Sequence, residues 1–209
     1  MNLANIGQSL IDGKADEVTK LVNQALSEGI GVKEVLDKGL IAGMDVVGAR
    51  FKNCEIFLPE VLVAARAMKA GMEILKPMLA QISDSYLGKV IIGTVQGDIH
   101  DIGKNIVAIM LEGAGFQIID LGVDVSATVY AQKVAEHQPQ IVGLSALLTT
   151  TMIGMRNVVE TLKEHGMRDK VRVIVGGAPL TDKFAKEIGA DGYAPDAPSA
   201  VQVCKGWLN

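Results

Sequence analysis

"KVIIGTVQGDIHDIGKNIV", residues 89–107, decides how the chain is read. It opens as an apolar run, turns at a glycine, and passes into helical spacing. A strand buried on both faces by helices reads this way. "FQIIDLG" (116–122), "QIVGLSA" (140–146), "VRVIVGG" (171–177) and "DGYA" (191–194) share that grammar. Helical segments of roughly 10 to 15 residues separate the runs, which predicts βαβ units. Residues 89–209 are therefore expected to form an α/β domain, doubly wound around five parallel strands in flavodoxin-like order. Ligands of such folds sit beyond the carboxyl ends of the strands. "QGDIHDIG" (96–103), "SALLTTT" (145–151) and "GGAP" (176–179) all fall at that edge and converge on one crevice.

Upstream the period changes. Val18, Leu21, Val22, Ala25 and Leu26 keep helical spacing, as do Val61, Ala65, Met68, Met72, Leu75 and Leu79. Val32, Val35, Leu36, Leu40, Met44 and Val47 fit one more helix between them. A four-helix bundle is expected over residues 1–82, with "RFKNCEIFLPE" (50–60) leading into the last helix. Pro59 suits that helix's first turn, where a missing N–H costs nothing. "AQISDSYLG" (80–88) breaks the pattern, so a linker is expected over 83–88.

Composition removes several classes of function. The net charge is −4 and no Lys/Arg cluster appears, which argues against nucleic acid as a partner. Aromatic residues make up 4%, too few for base-stacking platforms. No apolar run reaches the roughly 18 residues of a membrane span, and the first residues lack a secretory pattern. A cytoplasmic protein without a membrane partner is expected. Cys54 and Cys204 belong to no CxxC pair, so neither a disulfide framework nor a zinc site is indicated.

The chemistry gathers in "GDIHDIGKN" (97–105). A phosphate loop fails here, because Asp98 stands where GxxxxGK needs its first glycine and Asn105 replaces the Ser/Thr. A dinucleotide fingerprint fails as well, since Gly97 and Gly103 lack its spacing. A metal-ligating His100 with Asp98 as its hydrogen-bond acceptor remains. One histidine is too few for a bare zinc or iron site. It makes sense if the metal brings its own macrocycle.

Asp98-x-His100-x-x-Gly103, with Ser145-x-Leu147 and Gly176-Gly177 after it, resembles the cobalamin-binding module of methionine synthase, the corrinoid-dependent mutases and the small corrinoid methyl carriers. "MDVVGARFKNCEIFLPEVLVAARAMK" (44–69) is similar to the helical cap of methionine synthase and the carriers, which the mutases lack. The resemblance covers nearly the whole chain. It implies that His100 replaces the cofactor's dimethylbenzimidazole on cobalt (base-off/His-on) and that the displaced nucleotide tail runs into the α/β domain. Asp98 would accept the other imidazole N–H. Thr151 would complete the relay with a hydroxyl that the family usually takes from serine. Ser145 and Thr149 would bond the tail. Gly97, Asp98, Ile99, His100 and Asp101 would line the loop beneath the corrin, with Ile102, Gly103 and Leu147 in the same contact set. Gly176 and Gly177 would make room for the tail, and Ala197 would touch it. On the cap, Phe51, Leu58 and Val61 would cover the upper face, and Asp37 would meet the corrin edge. Helix core is the other reading of these apolar cap residues. The tail needs small side chains along its path, and Gly143, Ser145, Ala146, Gly176, Gly177 and Ala178 offer them.

The resemblance also implies a function. The chain would be the methyl-carrying corrinoid subunit of a methyltransferase system, not a complete enzyme alone. Cobalamin would cycle between methylcobalamin and Co(I), with the relay coupling cobalt ligation to protonation. One partner, a substrate-specific methyltransferase, would load a methyl group from a methylamine, methanol, a betaine or an aryl methyl ether. A second methyltransferase would deliver it to tetrahydrofolate or to a thiol such as coenzyme M. A reductive activator would reverse oxidation to Co(II). The cap would gate the upper face, hinged near residues 81–88. A cobalamin-dependent sensor and a mutase small subunit are the alternatives. The first has no visible DNA-binding or signalling segment, and the second leaves the cap unexplained. His137 and His165 are expected at solvated helix ends. Met68 and Met72 are core filler or face the cofactor.

Overall fold

The structure, a computed structural model, describes residues 2–79 and 86–208. Two compact units make up the chain: residues up to Tyr86 with the short stretch Glu112–Gly115, and the remainder from Leu87 onward. Residues 83–85 of the expected linker and 81–85 of the expected hinge lie outside the described residues.

The first unit is helical. It comprises α1 (Ala4–Ile11), α2 (Ala15–Ser27), α3 (Val32–Val35), a π-helical segment (Leu36–Ile41), α4 (Ala42–Lys52) and α5 (Leu58–Leu79). Val18, Val22 and Ala25 of α2 are buried, as are Val61, Ala64, Met68, Met72, Leu75 and Leu79 of α5. Pro59 is the second residue of α5, and the Phe57 N–H before that helix donates to Glu60 Oε2 at 3.1 Å. The helix expected over Val32–Val47 departs from plan in one respect: its middle is a π-helix. Leu36, Leu40 and Met44 are all buried at a strict spacing of four.

The second unit carries strands β1 (Lys89–Thr94), β2 (Gln117–Asp120), β3 (Ile141–Ser145), β4 (Arg172–Gly176) and β5 (Gly192–Ala194). Between and after them come α6 (Ile102–Gly113), α7 (Ala127–His137), α8 (Ile153–Glu164), α9 (Asp182–Ile188) and α10 (Ala197–Leu208). The strands form one parallel sheet in the order β2-β1-β3-β4-β5, so the expected fold class holds. Register aligns Thr94 with Ser145, Ser145 with Gly176, and Gly176 with Ala194. The ends of four strands thus form one row at the carboxyl edge. The order reverses between β1 and β3, where a doubly wound sheet opens its crevice. Ile91, Val142, Leu144, Val173 and Val175 of the sheet pack with Tyr130, Val134, Met155, Val158 and Leu162 of α7 and α8. At the opposite edge Arg168 donates to the carbonyls of Val171 and Gly189 and to Asp191, which also accepts the Val173 N–H.

Candidate functional site

Beyond Thr94 the chain turns through Val95–Asp98, with Gly97 in the left-handed region at φ 84°. Asp98 points inward and is fully buried, an unusual place for a carboxylate unless every lone pair is used. They are used. Its Oδ1 accepts the main-chain N–H of His100 at 3.0 Å and meets the His100 Nδ1 at 2.7 Å. Its Oδ2 accepts the N–H groups of Leu147 and Leu148 at 2.8 and 3.3 Å, and the Thr151 hydroxyl at 2.6 Å. Burial pushes this carboxyl up. The bonds from Thr151, Leu147 and both donors of His100 outweigh it and hold Asp98 well below the usual carboxylate range.

That charge state fixes the imidazole. A carboxylate only accepts, so Nδ1 carries a proton and Nε2 is the nitrogen left for a metal. The ring is 46% exposed, and Nε2 makes no hydrogen bond among the described residues. A neutral imidazole held by its far nitrogen is what a metal ligand requires. Among the described residues no three His, Cys, Asp or Glu side chains gather as a bare metal site.

The neighbouring surface is apolar. Ile99 and Ile102 are 75% and 70% exposed, and Leu147 and Leu148 are 43% exposed. They come from the turns after β1 and β3, which flank the switch point. Gly103 has an ordinary backbone conformation, and a Cβ there would meet nothing within 4 Å. Nothing in the protein requires that glycine, so the space itself is the feature. A flat apolar ligand centred on the imidazole fits these three observations.

The other residues named from sequence divide into groups. Ser145 is half-buried at the end of β3, with its carbonyl taken by the Val95 N–H. Thr149 is exposed. Gly177, at φ 140°, would place a Cβ 1.9 Å from the Ala146 carbonyl oxygen, so its own backbone demands glycine. A Cβ at Gly176 would stand 3.2 Å from the Ala194 carbonyl oxygen, a tight contact rather than a clash. Asp101 bonds Asn105 one turn along α6 and does not touch the imidazole. Ala197 is buried at the start of α10. In the helical unit Asp37 is exposed on the π-helical segment, while Phe51 and Leu58 are half-buried. Val61 has no exposed surface, which favours helix core of its two readings, and Met68 and Met72 are buried too. His165 is exposed, and His137 ends α7 beside Glu136 at 3.3 Å.

Three contributors escaped the sequence reading. The amides of Leu147 and Leu148 act through backbone atoms that any residue supplies. Asp124 bonds the turn that carries Asp98. Lys104 is buried and pairs with Asp120 Oδ2 at 2.5 Å, tying α6 to the end of β2.

One outward imidazole, with a buried carboxylate behind it and an apolar rim, is an arrangement able to offer a single ligand to a metal held in a macrocycle. Residues 88–202 match the B12 binding domain, and residues 3–76 match a second B12 binding domain family. The chain belongs to the family of corrinoid proteins that join these two domains. It is 46% identical over 207 residues to the dimethylamine corrinoid protein of Methanosarcina barkeri, covering 99% of this chain and 97% of that one. It is 44% identical over 209 residues to the trimethylamine corrinoid protein of the same organism, covering 99% and 96%. The crystal structure of the methanol:cobalamin methyltransferase complex from Methanosarcina barkeri matches with a TM-score of 0.88 at 31% identity, covering 97% of this chain and 78% of that one. No helix among the described residues is long and apolar enough to cross a membrane.

Proposed function

We propose that this chain carries a methyl group on bound cobalamin between two methyltransferases, with His100 as the residue whose Nε2 would hold the cobalt. The observation that carries the reading is the buried Asp98, which joins His100 to Thr151 and leaves Nε2 facing out. Bound cobalamin supplies a cobalt that accepts and releases a methyl group. This chain's residues do the rest. Ile99, Ile102, Leu147 and Leu148 offer the apolar bed, and Gly103 leaves it open. Asp98 would keep the proton on Nδ1 while Nε2 holds the metal, its Oδ1 standing 2.7 Å from Nδ1. The Thr151 hydroxyl, donating to Asp98 Oδ2 at 2.6 Å, would share the charge of that carboxylate. Ser145, Thr149, Gly176, Gly177 and Ala197 are assigned to the nucleotide tail, and Asp37, Phe51 and Leu58 to the upper side.

Support for a methylated amine as the donor comes from the relatives named for dimethylamine and trimethylamine. The methanol:cobalamin methyltransferase complex supports a methyltransferase as the loading partner. A second methyltransferase, delivering to tetrahydrofolate or a thiol, and a reductive activator complete the system we propose.

The direct test is to incubate the pure protein with hydroxocobalamin, desalt it and record the visible spectrum. Retained colour, with the dimethylbenzimidazole off the metal, is expected; a colourless protein overturns the reading. His100→Gly should keep the fold by circular dichroism and weaken cobalamin retention by at least ~10-fold, with a changed spectrum. A variant spectrum identical to the parent's would remove His100 as the ligand.

A further inference from the structure

The loop between β2 and α7, residues 121–126, has no part in the mechanism given so far. It nevertheless closes over the turn that carries the imidazole. The Val125 N–H donates to the Thr94 carbonyl at 3.0 Å, and the Thr94 N–H donates to the Gly122 carbonyl at 2.9 Å. Val95 and Val125 form a parallel bridge, so the β1–β2 ladder runs past the end of β2. At the top of this extension stands Asp124. Its N–H donates to the Asp98 carbonyl at 2.9 Å, and its Oδ1 accepts the Gly97 N–H at 2.7 Å. One residue thus holds the Gly97–Asp98 unit by both a donor and an acceptor.

Asp124 does this from the left-handed region, at φ 54°. A residue with a side chain is uncommon there. Gly122, two positions earlier, adopts φ 82° without that cost. Where this loop needs only backbone freedom it uses glycine; at 124 it keeps a side chain, and that side chain reaches Gly97.

Asp98 is therefore held from two directions. Its carboxylate is fixed by the loop after β3, and its main chain by Asp124. The carbonyl of His100 is fixed a third time, by the buried Thr94 hydroxyl at 2.8 Å. The height of the imidazole above the sheet edge depends on the turn, and Asp124 is the side chain that grips the turn's main chain from outside it.

We propose that Asp124 is a positioning residue for His100: through Gly97 and Asp98 it sets where Nε2 stands. This rests on the reading of His100 as the cobalt ligand. Asp124→Gly keeps the backbone conformation and removes the acceptor. Asp124→Asn keeps an acceptor oxygen and tolerates the left-handed region, so it should rescue. Two measurements are needed on the full chain. In the protein without cobalamin, hydrogen exchange at the Gly97 amide should be at least ~10-fold faster in Asp124→Gly, and near the parent rate in Asp124→Asn. With cob(II)alamin bound, the electron paramagnetic resonance spectrum reports an axial imidazole through nitrogen splitting. Asp124→Gly should lose that splitting in most molecules while still retaining cobalamin, and Asp124→Asn should keep it. A parent spectrum without the splitting overturns the ligation reading, and this inference with it. A parent spectrum with the splitting that Asp124→Gly leaves intact, or a Gly97 exchange rate that does not change, overturns this inference alone.

Discussion

Replacing Asp98 by asparagine keeps the shape of the side chain and changes what one of its two terminal atoms can do. Every neighbour of that carboxylate is a donor: Leu147, Leu148, Thr151 and His100 twice. An amide nitrogen in either position faces donors with a donor. Asp98→Asn should therefore lower the unfolding free energy by about 1–3 kcal/mol at pH 7, measured by urea denaturation. The pH dependence follows from the direction of the shift. Asp98 is held below its ordinary value, so its contribution is present above that value and lost as the pH falls below it. The gap between parent and variant should narrow below about pH 4. A gap that persists unchanged in acid would mean that the charge of Asp98 is not what stabilises the turn. At this scale the sequence was partly readable. A carboxylate two residues before a histidine is a visible signal, and Thr151 was reached through the family resemblance. The amides of Leu147 and Leu148 were not readable, because backbone donors leave no mark on residue identity. Asp124 was missed because its effect depends on a left-handed backbone twenty-six residues after Asp98.

At the scale of elements, two glycines of the motif set are glycines for opposite reasons. Gly177 must lack a side chain because the Ala146 carbonyl occupies the place of its Cβ. Gly177→Ala should cost about 2 kcal/mol or more. Gly103, near the start of α6, meets nothing, so Gly103→Ala should leave the protein without cobalamin unchanged or stabilise it by up to about 1 kcal/mol. The same substitution should weaken cobalamin retention, since it fills the space left open beside His100. Thermal melts of the two variants, followed by retention after desalting, separate a glycine the fold needs from one the ligand needs. An alanine at 103 that binds cobalamin as the parent does would remove Gly103 from the proposed bed. Sequence spacing could not tell these glycines apart, because neither letter records what surrounds it. Periodicity located the strands and the helices of the first unit well, because burial on one face imposes it directly. It did not show the π-helical turn over Leu36–Ile41.

For the molecule as a whole, binding and stability are linked. A ligand that binds only the folded α/β unit, at 100 times its Kd, adds about 2.7 kcal/mol. For a chain of this size that corresponds to a rise of about 5–10 °C in the unfolding temperature. Calorimetry with and without cobalamin should show it, and His100→Gly should show less at the same concentration. No rise in the parent would contradict binding to the folded state. The fold class was legible because alternating strand and helix grammar has few solutions, and the crevice followed from strand order. Residues 83–85, half of the linker expected at 83–88, lie outside the described residues.

The buried carboxylate has one more consequence, for regiochemistry. Imidazole has two nitrogens, and in solution a metal can choose either. Here Nδ1 is tied to Asp98 from the moment the chain folds, and turning the ring over would leave a buried anion one donor short. The selection between linkage isomers is made by the polypeptide before any metal arrives, so the ring that greets it is a fixture and not a rotor.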